Sequence, residues 1–91
     1  MTNKDVKVPH QYSVCLQRSA AIPSAFYQFI LDHVFHVGDK EKETMLAQLL
    51  SLDEVKVGAF SYEIAETKLQ RANSLAKKHN HALLCRLEQM R

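Results

Sequence analysis

The stretch Gly58-Ala59-Phe60-Ser61-Tyr62-Glu63-Ile64-Ala65-Glu66-Thr67-Lys68, completed by His81-Ala82-Leu83-Leu84-Cys85, decides the fold of this chain. It grows out of a short strand-like run, Val55 to Phe60, in which Val55, Val57 and Ala59 fall on one face. Ser61 is a helix N-cap, because its hydroxyl can accept a backbone N–H that the first turn leaves without a partner. Glu63 and Glu66 then lie where the positive end of the helix dipole favours carboxylates, and Lys77, Lys78 and His79 lie where cations are favoured. Ala65, Leu69, Ala72 and Ala76 recur at helical spacing, flanked by Ile64 and Leu75. Their small size predicts a helix lying close on a sheet, with Glu63, Thr67, Gln70, Arg71, Ser74, Lys77 and Lys78 towards water. Asn80 suits a helix stop. Leu83, Cys85 and Leu87 alternate with Leu84, Arg86 and Glu88, which predicts a strand with one buried face.

The rest of the chain is organised around that unit. Tyr12, Val14 and Leu16 alternate with Ser13, Cys15 and Gln17 in a first strand. Pro23 opens a helix at its first turn, whose apolar stripe is Phe26, Ile30, Val34 and Val37, widened by Phe29 and Leu31. Gly38-Asp39 breaks that run, and Asp39 is placed to cap a second helix. Met45, Leu46, Leu49, Leu50 and Leu52 give the second helix its apolar side, while Lys40 to Glu43 start it in solvent. The predicted order is strand, helix, helix, strand, helix, strand. A three-stranded sheet covered by helices on one face buries these stripes economically. Residues 1–9 are expected to form a flexible segment and residues 10–91 one domain.

Composition bounds the function classes. Ninety-one residues make one domain with a single core. No apolar run approaches the roughly 18 residues of a membrane span, and Met1 to Asp5 lacks the apolar core of a signal peptide. A formal net charge of +2 is too mild to argue nucleic acid. Cys15 and Cys85, both in predicted strands, fit buried or half-buried free thiols in a reducing cytoplasm. There is no Gly-rich phosphate loop, nucleophile motif or constrained carboxylate pair, so no enzyme and no cofactor are expected. His33 and His36, at i, i+3 on one predicted helix, are the nearest approach to a metal site. A structural zinc takes four ligands and nothing completes this pair, so no metal is expected.

The opening stretch resembles the ClpS family, adaptors of the bacterial Clp protease, whose signature is close to G-x-[FY]-[ST]-x-E-[VI]-A-E-T-K followed by H-x-L-L-C. Gly58, Phe60, Ser61, Glu63, Ile64, Ala65, Glu66, Thr67, Lys68, His81, Leu83, Leu84 and Cys85 carry the match. The first half aligns as well, from Tyr12 through Pro23 and Phe26 to Phe35. The resemblance implies an α+β two-layer sandwich: a three-stranded antiparallel sheet with three helices on one face, in the order β-α-α-β-α-β.

It also implies two surfaces. In the family, the start of the last helix docks on the N-terminal domain of a ClpA-like ATPase through a glutamate and a lysine. These match Glu63 and Lys68, with Thr67 between them. A second site, after the first strand, holds the α-amino group of a protein or peptide substrate, within a family sequence N-D-D-[YF]-T-P-M-E-F. This chain has Arg18-Ser19-Ala20-Ala21-Ile22-Pro23-Ser24-Ala25-Phe26 instead. A protonated amine needs acceptors and negative charge; Arg18 is a permanent cation, and Ser19 and Ala20 replace both carboxylates. A like-charge contact at about 4 Å costs on the order of 4 kcal/mol at an intermediate effective dielectric. The family's amine-holding histidine is Leu50 here, and its gating methionine is Ser24. The apolar lining is better kept, at Leu46 and Leu49, with Ile22 beside them. The expectation is an adaptor with a degenerate pocket and weakened or lost recognition of N-terminal residues. The alternative is a small peptide- or ligand-binding domain with no protease link.

Overall fold

Alternating apolar residues at Val14 and Leu16 make a strand of the first segment, and both later strands pair with it. The computed structural model describes residues 11–90, so the segment expected to be flexible, residues 1–9, lies outside the described residues. Six elements follow in the expected order: β1 (Gln11–Gln17), α1 (Ser24–His33), α2 (Asp39–Leu52), β2 (Glu54–Phe60), α3 (Tyr62–Lys78) and β3 (Leu84–Met90). The sheet order is β2-β1-β3, and both pairings are antiparallel. The helices lie on one face, giving the two-layer α+β architecture.

The core lies between the layers. Val14, Leu16, Val55 and Val57 point inward from the sheet, and Phe26, Tyr27, Ile30, Leu31, Leu49, Ala65, Ala72 and Ala76 meet them from the helices. Each fully buried Leu, Ile or Phe contributes roughly 1.5–3 kcal/mol before entropy is counted. The three buried alanines let α3 approach the sheet closely, as their spacing predicts. Ser61 caps α3 by accepting the Ile64 N–H at 3.4 Å, and Asn80, with φ 61°, turns the chain out of it.

Four local expectations are corrected. Ala59 is exposed while Phe60 is half-buried against the core. The cause is a bulge: Tyr12 pairs with Phe60 but Val14 with Val57, and Gly58 takes φ 79°, so one extra residue on β2 turns Phe60 inward. Helix α1 ends at His33 rather than running to Val37. His36 adopts φ 53°, and Val37 N–H bonds back to the Leu31 carbonyl at 3.0 Å. His33 and His36 therefore do not share a helix. Gly38, not Asp39, is the N-cap of α2, with no side-chain cap. Leu50 and Leu52 are 56% and 68% exposed, because α2 buries only the narrow stripe through Leu49. Ser13 and Cys15 are buried on the outer face of the sheet, and for Cys15 this agrees with the buried or half-buried thiol expected. Their strand is central, and two ion pairs from its neighbours, Lys56–Glu88 at 2.9 Å and Arg86–Glu54 at 3.5 Å, reach across them.

Candidate functional site

The loop between β1 and α1 is shaped by one buried phenol. The Tyr27 hydroxyl accepts the Ser19 N–H at 2.8 Å and donates to the Gln17 carbonyl at 3.1 Å. Ser19 in turn accepts the Ala21 N–H on its hydroxyl at 3.2 Å, and its carbonyl accepts the Ile22 N–H at 3.1 Å. Burial pushes the Tyr27 phenol above its ordinary range, against the Ser19 N–H and the Arg18 charge, which pull it down. The phenol therefore stays protonated and keeps both bonds at neutral pH.

The end of α2 closes the other side. Asp53, the left-handed C-cap of α2 (φ 63°), accepts the Arg18 N–H on its carbonyl at 2.9 Å. Its Oδ1 also takes Arg18 Nε at 3.2 Å. Between these fixtures lies a cavity of about 130 Å³ lined by Arg18, Ser19, Ala20, Ile22, Ser24, Tyr27, Leu46, Leu49 and Leu50. All eight residues that the sequence assigns to the degenerate pocket meet there. Tyr27 is the addition; a tyrosine one turn inside α1 reads from sequence only as core, and its fixing of the Ser19 amide is a tertiary fact. The lining contains no carboxylate and no histidine, and Arg18 is its one charged residue. A larger hollow of about 710 Å³ around the α3–β3 turn is an open trough that includes none of the predicted site residues.

The second predicted surface divides. Glu63 and Thr67 are exposed at the start of α3, and the Thr67 hydroxyl donates to the Glu63 carbonyl at 2.9 Å. Lys68 is half-buried and turned inward: its Nζ donates to the Val34 carbonyl at 2.9 Å and lies 6.0 and 5.5 Å from the ring centroids of Phe35 and Phe60. Tyr62 and Ile64, about half exposed, flank Glu63 and add apolar area to that face. Sequence periodicity could mark Ile64 only as a flank of the buried stripe.

Three histidines pack on aromatic rings rather than converging. His33 packs on Phe29, and His79 and His81 pack on Phe26, with ring centroids 4.3, 5.6 and 4.6 Å apart. Among the described residues no three of His, Cys, Asp and Glu are placed to hold a metal ion. No described helix is long and apolar enough to cross a membrane.

The described residues thus form a small two-layer domain with a side-chain-sized cavity and, apart from it, an exposed helix start. No family model matches the chain. It is 30% identical over 87 residues to the ATP-dependent Clp protease adapter protein ClpS of Zymomonas mobilis, covering 96% of this chain and 81% of that protein. It is also 30% identical to ClpS 1 of Rhizobium meliloti, over 96% of this chain and 74% of that one. Its fold matches Agrobacterium tumefaciens ClpS2, solved bound to L-phenylalaninamide, with a TM-score of 0.82 at 24% identity, over 90% of this chain and 99% of that chain. The chain belongs to the ClpS family of Clp protease adaptors.

Proposed function

We propose that this protein docks on the N-terminal domain of a ClpA-like ATPase in the cytoplasm through the start of α3, and there alters which proteins are degraded. Glu63 and Thr67 make the polar part of the docking surface, Tyr62 and Ile64 its apolar part, and Lys68 holds its base. Recognition of an N-terminal amine is weakened or lost. The observation that carries this reading is the composition of the cavity, which keeps apolar walls at Ile22, Leu46 and Leu49 but has Arg18 as its one charged residue. An ammonium entering it meets a cation and finds no free carboxylate.

Calorimetry with the N-terminal domain of the cognate Clp ATPase tests the docking. Binding in the micromolar range or tighter is expected, weakened at least ten-fold by Glu63→Ala; no heat with any cognate Clp ATPase sinks it. Fluorescence anisotropy with peptides that begin in Leu, Phe or Met tests the cavity. Little discrimination is expected, and tight Leu- or Phe-selective binding overturns this part. The inward turn of the Lys68 ammonium favours the second reading, a peptide-binding domain with no protease link. A filled cavity in a crystal, without Clp association, supports it.

A further inference from the structure

We propose that the cavity beside Arg18 receives the C-terminal residue of a peptide, with its apolar side chain inside and its α-carboxylate on the Arg18 guanidinium. This rests on the reading of the cavity as the substrate site, and not on the docking surface.

The walls set the first requirement. Ile22, Leu46, Leu49 and Leu50 enclose about 130 Å³, room for one apolar side chain and little else. The polar groups set the second. The Ser19 N–H is taken by Tyr27, the Tyr27 hydroxyl is spent on Gln17, and the Ser19 hydroxyl already accepts from Ala21. Hydroxyls in the lining can still donate or accept, but its one charged group with free capacity is a donor. Arg18 commits its Nε to Asp53, and among the described residues its terminal nitrogens have no other protein partner. A guanidinium carries five N–H groups in a planar fork that suits a carboxylate, so two terminal –NH2 groups remain for a ligand. The Ser24 hydroxyl, also in the lining, adds a further donor.

Asp53 is the acid paired with Arg18, and it does not oppose the assignment. It lies outside the cavity and its carboxylate is 75% exposed, so water screens it. Together with its carbonyl bond to the Arg18 N–H, it holds Arg18 at the rim. Arg18 lines the cavity together with Tyr27, and its charge partly offsets the burial that raises the phenol. A peptide entering by its N-terminus would place an ammonium against that charge; one entering by its C-terminus neutralises it.

Fluorescence anisotropy tests this with three peptides. The first carries fluorescein on its N-terminus and ends in Leu as the free acid. The second is the same peptide as its carboxamide. The third has a free N-terminal Leu, a C-terminal carboxamide and its label on an internal lysine. The free acid is expected to bind at least ten-fold tighter than either of the others at about 0.1 M salt, with the gap narrowing as salt rises. Arg18→Gln is expected to abolish the difference between acid and carboxamide, and Arg18→Lys to restore part of it. A thermal melt of each variant confirms that the domain is folded. Equal binding of acid and carboxamide, preference for the N-terminal Leu peptide, or no binding of any peptide overturns the proposal. Calorimetry with the Clp N-terminal domain on the same protein separates the two readings. Docking without acid selectivity removes this proposal alone, and acid selectivity without docking removes the adaptor reading alone.

Discussion

The Lys68 ammonium donates to the Val34 carbonyl oxygen at 2.9 Å, tying the second turn of α3 to the end of α1. That carbonyl is among those a helix leaves without an internal partner, and a cation suits the negative end of the α1 dipole. The rings of Phe35 and Phe60 shelter the contact, so Lys68 serves the fold as well as the surface.

Lys68 and Glu63 should consequently separate in a stability measurement. Lys68→Ala is expected to cost about 1–3 kcal/mol, because it leaves a half-buried carbonyl without its charged donor. Glu63→Ala, at an exposed position, should cost no more than about 1 kcal/mol of helix-dipole stabilisation. Urea denaturation of the two variants decides the matter. Equal stability would show that the Val34 contact contributes nothing net.

Gly58→Ala is expected to be strongly destabilising. Gly58 sits at φ 79°, and a Cβ there would run into the ring of Phe60. The left-handed backbone alone costs a non-glycine residue about 1–2 kcal/mol, and displacing Phe60 from the bulge adds to it. A loss of unfolding free energy in urea of less than half that cost would mean that β2 relaxes its register.

Stability should respond to pH through Lys56 and Glu88. The close approach of the Lys56 ammonium to its Oε1, at 2.9 Å, holds the Glu88 carboxyl below its ordinary range, although partial burial pushes the other way. The same contact raises Lys56. A depressed carboxyl stabilises the fold above its unfolded value of about 4.3, and that gain is lost as pH falls through the lower folded value. A raised lysine stabilises below about 10.4, and its gain is lost as pH rises through the higher folded value. The difference between the wild-type chain and Glu88→Gln should therefore be constant between those limits and shrink outside them. A difference that grows towards acid would contradict the pairing.

The two thiols should differ in access. Burial, the leading influence on each, raises both above the ordinary thiol range; Glu54 and Glu88 add to this at Cys15 and Arg86 opposes it. Only Cys85 is partly open to water, with its Sγ donating to Asn73 Oδ1 at 3.4 Å. In a disulfide-exchange assay on the native protein, Cys85 should react slowly and Cys15 only when the domain opens. The single variants Cys15→Ser and Cys85→Ser assign the two phases. Equal rates in the native state would mean that the ion pairs over Cys15 do not exclude reagent.

Element order was legible because the period of the apolar residues changes from two to about 3.6 wherever strand gives way to helix. The cavity was legible as a set only through the family resemblance, which marks two short segments of the sequence. Less legible was anything that depends on pairing across the chain. The bulge at Gly58 needs the register of β1 against β2, and only it explains why Phe60, not Ala59, turns inward. Arg18 meets Asp53 because α2 ends in a left-handed residue, which no local pattern announces. Lys68 looks like a solvated helix residue until the end of α1 is seen beneath it. The burial of Cys15 follows from the central place of its strand, since its neighbours' long charged side chains can then reach over it from both sides.

That placement has a consequence for synthesis. The strand made first is the one that every ladder hydrogen bond in the sheet requires, and Gln11 waits for Met90 before its pairing is complete. Long-range pairing of this kind is slow and leaves strand edges bare while it is pending. On the ribosome, Gln11 to Gln17 emerges early and stays single until β2 arrives, then remains open along its other edge until Leu84 to Met90 is free. A nascent chain arrested before Leu84 should bind a holdase chaperone, and release to Met90 should end that binding.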